Sequence, residues 1–380
     1  MKSKTKGIID PLSNFNYALK VEDTRHKYLQ RLKFFFNSVL ENENDIQSQA
    51  IEFMENARSS EWVYSAFISF IIEQNKRIAK GEVTAGTVRN YYKPAKLFCD
   101  MNDIVVNWKK ITKGMIREKQ HGDDRAPTLD ELRELVKYPD RRIRPIVLVM
   151  ISSGIRSGAW DYLRWKHIIP VKQNGVIVAA KIIVYAGEPD FYYSFITREA
   201  YDACLEWMNF RASYGETITG ESWLMRDTWQ KIDTKHSSNV GMINYPKQLT
   251  SLGIKSLMDR AIRTQKLDII MKKGDNHNTR REWKALHGMR KTFNGVLVNG
   301  NCNYTIKERL MGHDTKLENS YFKPRENDLL DEWLKFADDL VLSEEARLRE
   351  RVEKLEVEKT QIEALALELE KVKKAIAANN

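Results

Sequence analysis

The chain has 380 residues, of which 42% are hydrophobic, and its nine tryptophans and fourteen phenylalanines exclude an intrinsically disordered protein. No apolar run approaches the ~20 residues that a membrane-spanning helix needs, so a helical integral membrane protein is excluded as well. The net charge of +10 favours a polyanionic partner, nucleic acid first and an anionic membrane surface second.

The cysteines and the first residues indicate the compartment. Cys99, Cys204 and Cys302 lie far apart with no CxxC pair, which argues against a disulfide framework and a cysteine-based zinc site and suits a reducing cytoplasm. Residues 1–20 are expected to form a polar leader. Its charged start is followed by no long apolar segment, so it does not resemble a secretory signal.

Residues 21–119 show amphipathic helical periodicity and are predicted to form a helical domain. Thr84 and Thr87 stand at favoured N-cap positions before a segment that mixes aromatic and basic residues. This segment either lies against a nucleic-acid backbone or has an ordinary solvated face, and Pro94 is expected to kink or break it. Its basic residues are Arg89, Lys93 and Lys96.

A polar stretch that contains a glycine, residues 120–127, is predicted to link this domain to a second one at 128–342. Thr128 and Glu131 have the spacing of a capping box that opens a new helix. An apolar helix is predicted over Ile143–Ser152, ending at Gly154.

The pattern then changes from helical to β. Val176–Tyr185 is rich in β-branched residues, residues 187–190 are typical of a turn, and Phe191–Ile196 is predicted to be a second strand. A third strand is expected near Ile168–Val171. The following segments return to helical patterns, so the predicted fold class is mainly α with a small antiparallel β-hairpin or sheet.

Residues 343–380 are compositionally distinct. Apolar residues recur every seven positions among many charged ones, which predicts a coiled-coil-like helix. Lys359 and Lys373 interrupt the second apolar seam, and a single amphipathic helix packed on the body is the alternative. The repeated residues are Leu348, Leu355, Ile362, Leu369 and Ile376.

Residues 285–321 combine side chains that suit a phosphodiester. Arg290 carries a permanent charge that can grip two phosphate oxygens, and His287 and His313 can donate hydrogen bonds or move protons near neutral pH. Tyr321 can attack phosphorus and store the bond energy in a covalent phosphotyrosine. Each residue alone is more often structural, so the hypothesis depends on their order and spacing.

Three motifs in this order resemble those of the tyrosine recombinase family, also called phage-type integrases. Ser153-Gly154-Ile155-Arg156 resembles the segment that carries the family's first catalytic arginine. Leu286 to Phe293 resembles the His-x-Leu-Arg-His-Thr-Phe box, with Lys291 in place of the second histidine. Leu310-Met311-Gly312-His313, followed by Tyr321, resembles the Leu-Gly-His and nucleophile segment. The particular residues of these motifs favour an archaeal or archaeal-virus member of the family.

The resemblance implies a reaction and a role for each residue. Arg156 and Arg290 would clamp the scissile phosphate, His287 would assist proton transfer, and His313 would hydrogen-bond the phosphate. Tyr321 would form a 3′-phosphotyrosyl link and release a 5′-hydroxyl. Religation to a partner strand would complete the exchange without ATP, metal or cofactor.

The resemblance also implies partners and domain roles. The partner would be double-stranded DNA attachment sites, on which the protein would assemble as a dimer or tetramer, associated with the nucleoid and with no membrane. Residues 21–119 would be a core-binding domain that closes over DNA, residues 128–342 the recombinase catalytic domain, and Lys291 a further DNA contact. A type IB topoisomerase-like or resolvase activity, or a catalytically lapsed DNA-binding protein, are the alternatives.

Some positions depart from the family pattern. Ala159 stands where an acidic residue is usual, and Asp161 is the nearest acid. The turn at 187–190 has no lysine, so Lys181 in the preceding strand is the nearest candidate for the catalytic lysine, and Lys172 is a weaker one.

The nucleophile segment departs as well. The interval from His313 to Tyr321 is about one residue shorter than the commonest family spacing. Tyr304 is a rival tyrosine, although it precedes the Gly-His segment, which the family order does not allow.

Overall fold

The computed structural model describes residues 10–117, 124–227, 246–267, 270–273, 279–314 and 324–378. They form two compact units, one made of the described residues up to 117 and the other of those from 124 onward. Both units are mainly helical. No helix in the described ranges is long and apolar enough to cross a membrane. Residues 120–123 of the predicted linker lie outside these ranges.

Helices alone build the described part of the first unit. Its core is aromatic, with Phe35 in ring contact with Phe53, Phe67 and Phe70 at centroid distances of 5.8, 4.8 and 5.1 Å. The helices are α1 (Pro11–Tyr17), α2 (Glu22–Leu40), α3 (Ile46–Asn56), α4 (Ser60–Ala79), α5 (Ala85–Met101) and α6 (Trp108–Thr112).

Residues 10–19 differ from the expected polar leader because they form α1 and part of the core. The Asp10 carboxylate accepts a hydrogen bond from the Ser13 backbone N–H at 2.9 Å and so caps the helix. Leu12 and Phe15, three residues apart on one helical face, are buried. Phe15 contacts Phe98 of α5, and these few apolar residues were too sparse for composition alone to reveal a core segment.

Helix α5 runs through Pro94 without a break, so of the predicted kink or break the break does not occur. Thr84 caps its start, as predicted, by accepting the Thr87 N–H at 3.2 Å. Proline removes one intrahelical hydrogen bond, but Pro94 and its neighbours Ala95 and Phe98 are buried in the unit's core. Tertiary packing therefore maintains the helix where local propensity disfavours it.

The second unit mixes helices with two small antiparallel sheets. The capping box at Thr128 and Glu131 is present, with both hydrogen bonds formed at 3.2 and 2.7 Å. The elements are α7 (Leu129–Leu135), α8 (Ile143–Ser153), β1 (Ile168–Gln173), β2 (Val176–Val184), β3 (Tyr192–Thr197), α9 (Arg198–Ser213), α10 (Ser251–Thr264), β4 (Ile270–Lys273), β5 (Thr279–Arg281), α11 (Ala285–Asn299), α12 (Tyr304–Leu310), α13 (Glu326–Leu334) and α14 (Glu344–Ala378).

Strands β1, β2 and β3 form an antiparallel sheet in that order, which confirms the predicted hairpin and its third strand. Lys181 of β2 pairs with Phe195 of β3, and Val184 pairs with Tyr192. Successive strand residues point to opposite faces, so Lys181 and Tyr193 share one face and Tyr192 lies on the other. The β4–β5 pair was not predicted, because its sequence is short and polar.

Helix α8 is the centre of the second unit. All its residues except Arg144 are buried, as its apolar sequence predicts, and it packs against α9, α11 and β3. The Trp333 indole of α13 donates a hydrogen bond to the Ser152 carbonyl at 3.0 Å. Helices α11 and α13 therefore both contact the end of α8.

Candidate active site

The end of α8 positions the first predicted arginine. Gly154 adopts φ +61°, and a Cβ there would overlap the ring of Phe293 on α11, so both the backbone conformation and the close helix contact require glycine. The chain then turns into an extended conformation at Arg156. The Arg156 Nη2 atom donates to the Gly312 carbonyl oxygen at 2.6 Å.

The second predicted arginine, Arg290, projects from α11 and is 9% exposed. Its Nη1 donates to the Gly154 carbonyl, and its Nη2 donates to the Met311 carbonyl at 2.7 Å. The two arginines therefore bind the successive carbonyls of Met311 and Gly312. The structure brings Arg156 and Arg290 together although 134 positions separate them in the chain.

The two guanidinium groups lie close together without an acid between them. Burial lowers the pKa of Arg290, and the nearby Arg156 cation lowers it further, while Tyr192 opposes both. Within the described residues, neither arginine forms an ion pair with a carboxylate. Arg290 is buried and Arg156 partly buried, and two such adjacent cations repel each other, so this arrangement favours an external anion between or beside them.

His313 follows the end of α12 and contacts Arg290. Its Nε2 lies 2.8 Å from Arg290 Nη2, and its Nδ1 lies 2.5 Å from the Glu308 carboxylate. Since arginine can only donate, Nε2 is the acceptor, and Nδ1 carries the proton that is donated to Glu308. Glu308 also pairs with Lys307 at 2.8 Å, and burial raises its pKa less than these partners lower it.

Sequence reasoning missed Glu308, because a carboxylate five positions before a histidine at a helix end has no recognisable local pattern. Its signal is its position on α12, which places it beside His313 once the chain turns at Gly312 (φ +65°). A carboxylate on one ring nitrogen fixes the tautomer and leaves the other nitrogen toward the arginines.

His287 lies on α11 one turn before Arg290, but its side chain is exposed. Burial lowers the pKa of His287, the Lys291 cation lowers it further, and Asp124 opposes them. Lys291 Nζ forms an ion pair with Asp124 at 2.8 Å. Lys291, which the sequence predicted as a DNA contact, is thus paired with Asp124. Together these two charges act on the pKa of His287 in opposite directions.

Lys181 does not join the arginines. Its Nζ lies 2.9 Å from Glu326 of α13, and its side chain shares a sheet face with Tyr193, opposite the face of Tyr192. Asp161 does not replace the missing acid, since its carboxylate binds the Ser251 backbone N–H and hydroxyl, both at 2.6 Å. It caps the start of α10.

Tyr192, which the sequence did not single out, lies beside both arginines. Its ring packs directly on Gly312, where a Cβ would overlap it. Burial raises the pKa of Tyr192, and Arg290 and Arg156 oppose the increase. The ring of Tyr185 lies 6.2 Å away, near Arg156. The signal in the sequence was only an aromatic residue at the strand start after the hairpin turn.

The predicted nucleophile, Tyr321, lies outside the described residues. Its rival, Tyr304, begins α12 and is 62% exposed, with Lys307 over its ring at 5.2 Å. His313 follows the end of the same helix, nine residues later. Since α12 rises about 1.5 Å per residue, Tyr304 lies about 9 Å along the helix axis from Leu310, at the end away from His313.

Two of the predicted nucleic-acid contacts lie together in the first unit. Arg89 and Lys93 line a cleft of about 420 Å³ with Lys113 and Arg117, and no acidic residue lines it. The third contact, Lys96, instead lies 5.6 Å above the Trp108 ring and does not line this cleft. The cleft therefore concentrates positive charge on one surface of the unit.

No protein-family model matches the chain, and no curated protein matches it in sequence. Among solved structures, a lambda integrase dimer bound to a COC′ core site matches with a TM-score of 0.49 and 11% identity, over 81% of this chain and 91% of that one. The Tn1549 transposon integrase in complex with transposon right end DNA matches with a TM-score of 0.48 and 14% identity, over 86% and 98%. The XerA recombinase matches with a TM-score of 0.35 and 15% identity, over 82% and 98%.

Proposed function

We propose that the protein is a site-specific DNA recombinase of the integrase type, which cleaves and rejoins DNA strands through a covalent 3′-phosphotyrosine. The observation that carries this proposal is the pair Arg156 and Arg290, held side by side without a carboxylate partner among the described residues. The three TM-scores all lie below 0.5, so the proposal rests on the residues of the site and their order in the chain.

The arginines bind the scissile phosphate. Arg156 uses only Nη2 in a protein hydrogen bond within the described ranges, so its Nε and Nη1 donors are available to phosphate oxygens. During attack, charge builds up on the non-bridging oxygens, and fixed guanidinium donors stabilise it without reorganisation. Their contacts to the backbone of Gly154, Met311 and Gly312 hold both groups in place before DNA binds.

The chemical step forms a bond between the Tyr321 phenol oxygen and phosphorus and breaks the bond from phosphorus to the 5′-oxygen. The phenol loses a proton and the leaving oxygen gains one. His287, whose pKa is lowered, is mostly neutral at physiological pH and can accept a proton. His313 Nε2 accepts from Arg290 while its Nδ1–H is held by Glu308, so His313 donates to the phosphate only once Nε2 carries a proton, and the Glu308 carboxylate stabilises the ring in that charged form.

The first unit contributes DNA affinity. Its cleft, with Arg89 and Lys93, takes backbone phosphates of double-stranded DNA, and such contacts position the protein without reading sequence. Residues 21–119 act in this proposal as the core-binding domain and residues 128–342 as the catalytic domain. The tail helix α14 holds protomers together as a dimer or tetramer on DNA.

A pool of nicked duplexes with randomised sequence tests the proposal without a known target site. Attack near the nick releases a short strand with a 5′-hydroxyl end. Because this strand diffuses away, religation cannot occur and the protein stays covalently bound to the DNA. We expect a band that resists denaturation, with the DNA mapped to Tyr321 by mass spectrometry.

The controls are two tyrosine variants. Tyr321→Phe should give no adduct, whereas Tyr304→Phe should retain it, because Tyr304 lies at the end of α12 that is away from His313. An adduct that persists in Tyr321→Phe would contradict the assignment of the nucleophile.

One observation favours a second reading, a lapsed DNA-binding protein of the same fold. Lys181, the nearest candidate for the catalytic lysine, is paired with Glu326 and points away from the Tyr192 face of the sheet. The same pool decides between them: DNA retention without any adduct would favour the lapsed protein. Exchange between two selected sites, rather than relaxation of supercoils alone, separates a recombinase from a type IB topoisomerase-like enzyme.

A further inference from the structure

Beside the two arginines lies a buried tyrosine hydroxyl whose proton has no hydrogen-bond acceptor in the described part of the protein. Tyr192 is 9% exposed, and the Arg290 side chain and the Arg156 backbone N–H face its oxygen, to which both can only donate. The O–H proton itself has no acceptor within the described residues. Buried hydroxyls are nearly always paired, since an unpaired one loses its hydrogen bonds to water without replacement. An unpaired donor at this position therefore points to a ligand.

The ring that carries this hydroxyl is fixed. It stands at the start of β3, where Tyr192 pairs with Val184 of β2. One side of the ring lies on the Gly312 backbone. A Cβ at position 312 would overlap the ring, so only glycine permits this contact. Gly312 is also the residue whose carbonyl binds Arg156. The hydroxyl and the guanidinium groups are thus held by the same backbone segment.

The charge state of the phenol suits a donor. Burial raises the pKa of Tyr192 above its usual value of 10, and the nearby Arg290 and Arg156 cations offset only part of the increase. The phenol therefore keeps its proton at physiological pH. An uncharged O–H adds a donor to the site without adding to the repulsion between the two arginines.

We propose that the Tyr192 hydroxyl donates a hydrogen bond to a non-bridging oxygen of the phosphodiester that Arg156 and Arg290 bind. The inference rests on the proposed function and extends its site by one residue. Tyr192 acts as a donor that touches the substrate, and no proton is transferred from it. It is a third fixed donor at a site where the β2–β3 turn carries no lysine.

The test removes only the oxygen. Tyr192→Phe keeps the ring on Gly312, and Tyr193→Phe is the matched control, since the next residue of β3 points to the opposite sheet face. Binding of inorganic phosphate to the full-length protein is measured by calorimetry. The part of the phosphate binding that is lost in Arg156→Ala is assigned to the arginine site. The part that remains is assigned to other sites, such as the cleft of the first unit.

We expect Tyr192→Phe to weaken phosphate binding at the arginine site about tenfold or more, as for a hydrogen bond to a charged group, and Tyr193→Phe to leave it within about twofold. Equal phosphate affinity in Tyr192→Phe and wild type would overturn the inference. So would a wild-type protein that binds no phosphate at the arginine site.

The covalent adduct gives a second, separate readout. At saturating DNA, Tyr192→Phe should form the adduct about tenfold or more slowly than wild type and Tyr193→Phe. If wild type forms no adduct at all, the proposed function fails, while the phosphate measurement still decides whether Tyr192 is a donor to an anion. Unfolding curves of the three proteins show whether the variants are folded.

Discussion

At the scale of single residues, Arg290 combines two tasks that the sequence could not separate. Its side chain joins the ends of α8 and α12 through the Gly154 and Met311 carbonyls, and it contacts His313 at 2.8 Å. The spacing of the His-x-x-Arg box predicted a phosphate clamp. The structural task became visible only when the fold placed the two carbonyls beside it.

Arg290→Ala should abolish cleavage while much of the DNA affinity remains. The adduct rate should fall by about 10²- to 10³-fold, as for the loss of a fixed donor to a developing oxyanion. Phosphate contacts elsewhere share the binding energy, so affinity in a gel-shift titration should change far less.

Arg263→Ala, at an exposed arginine of α10, is the control and should change neither quantity by more than about threefold. A normal cleavage rate in Arg290→Ala would remove the clamp role. Because two carbonyls lose their donor, the unfolding midpoint of Arg290→Ala should be measured alongside.

Two glycines of the second unit should respond to alanine in opposite directions. Gly312 has φ +65°, and an added Cβ would overlap the Tyr192 ring, whereas a Cβ on Gly295 of α11 meets nothing within 4 Å. Gly312→Ala should lower the unfolding free energy by about 1–3 kcal/mol. Gly295→Ala should raise it by about 0.5–1 kcal/mol, because alanine restricts the unfolded chain. Urea unfolding of both variants checks the pair, and a neutral Gly312→Ala would show that the backbone at Gly312 or the Tyr192 ring can shift.

At the scale of elements, a buried ion cluster organises the loop after α9. Glu216 lies between Arg211 and Arg226, with contacts of 2.5 and 2.8 Å, and all three side chains are almost fully buried. Arg211 also donates to the Trp223 carbonyl at 2.7 Å. No local sequence signal reveals this cluster, because charged residues beside glycines look solvated until the fold pairs them.

This cluster predicts a pH dependence of stability. Burial raises the pKa of Glu216, but its bonds to Arg211 and Arg226 outweigh burial and leave it below the usual 4.5. A carboxyl with a depressed folded pKa stabilises the fold above the unfolded pKa, and this stability is lost as pH falls through the folded pKa.

Glu216→Gln should therefore unfold more easily than wild type at pH 7, by about 3–5 kcal/mol, since two buried arginines lose their anion. The difference should shrink as pH falls below 4.5. Urea unfolding of both proteins from pH 7 to pH 3 measures it, with Glu221→Gln, an exposed acid, as the control. A difference that is independent of pH would mean that packing, and not charge, accounts for the cluster.

At the scale of the whole molecule, the sequence predicted elements better than it predicted partners of side chains. Ile143–Ser152 and the strand Val176–Tyr185 could be predicted because a continuous apolar run and β-branched residues are local signals. Helix α1 and the continuation of α5 through Pro94 could not, because distant packing decides both. The contact of Tyr192 with the two arginines and that of Glu308 with His313 depend on four separate segments that meet only in the folded chain.

The tail helix α14 is where the sequence pattern and the structure combine into a prediction about assembly. Its heptad residues Leu348, Leu355, Ile362 and Leu369 are 56–66% exposed. The helix is tied to the body at its start, where Glu199 accepts the Leu342 and Ser343 N–H groups at 2.8 and 3.1 Å. An apolar seam exposed along a helix fits the same seam of a second copy.

A chain that ends after Ser343 should therefore keep its fold and its chemistry on a single site but assemble poorly on DNA. The Glu199 contacts remain in this truncation, so the unfolding midpoint should stay close to that of the full chain. Sedimentation of the protein–DNA complex should shift from dimers or tetramers toward single protomers, with adduct formation on one site within about threefold.

A substitution pair in the full chain separates the seam from the helix itself. Leu355→Gln with Ile362→Gln should reproduce the loss of assembly, because both residues belong to the exposed seam. Glu356→Gln with Glu363→Gln, one position further along the helix, should leave assembly intact, since these residues lie outside the seam. Unchanged oligomers on DNA in the truncated chain would mean that contacts elsewhere hold the protomers together and that α14 serves another purpose.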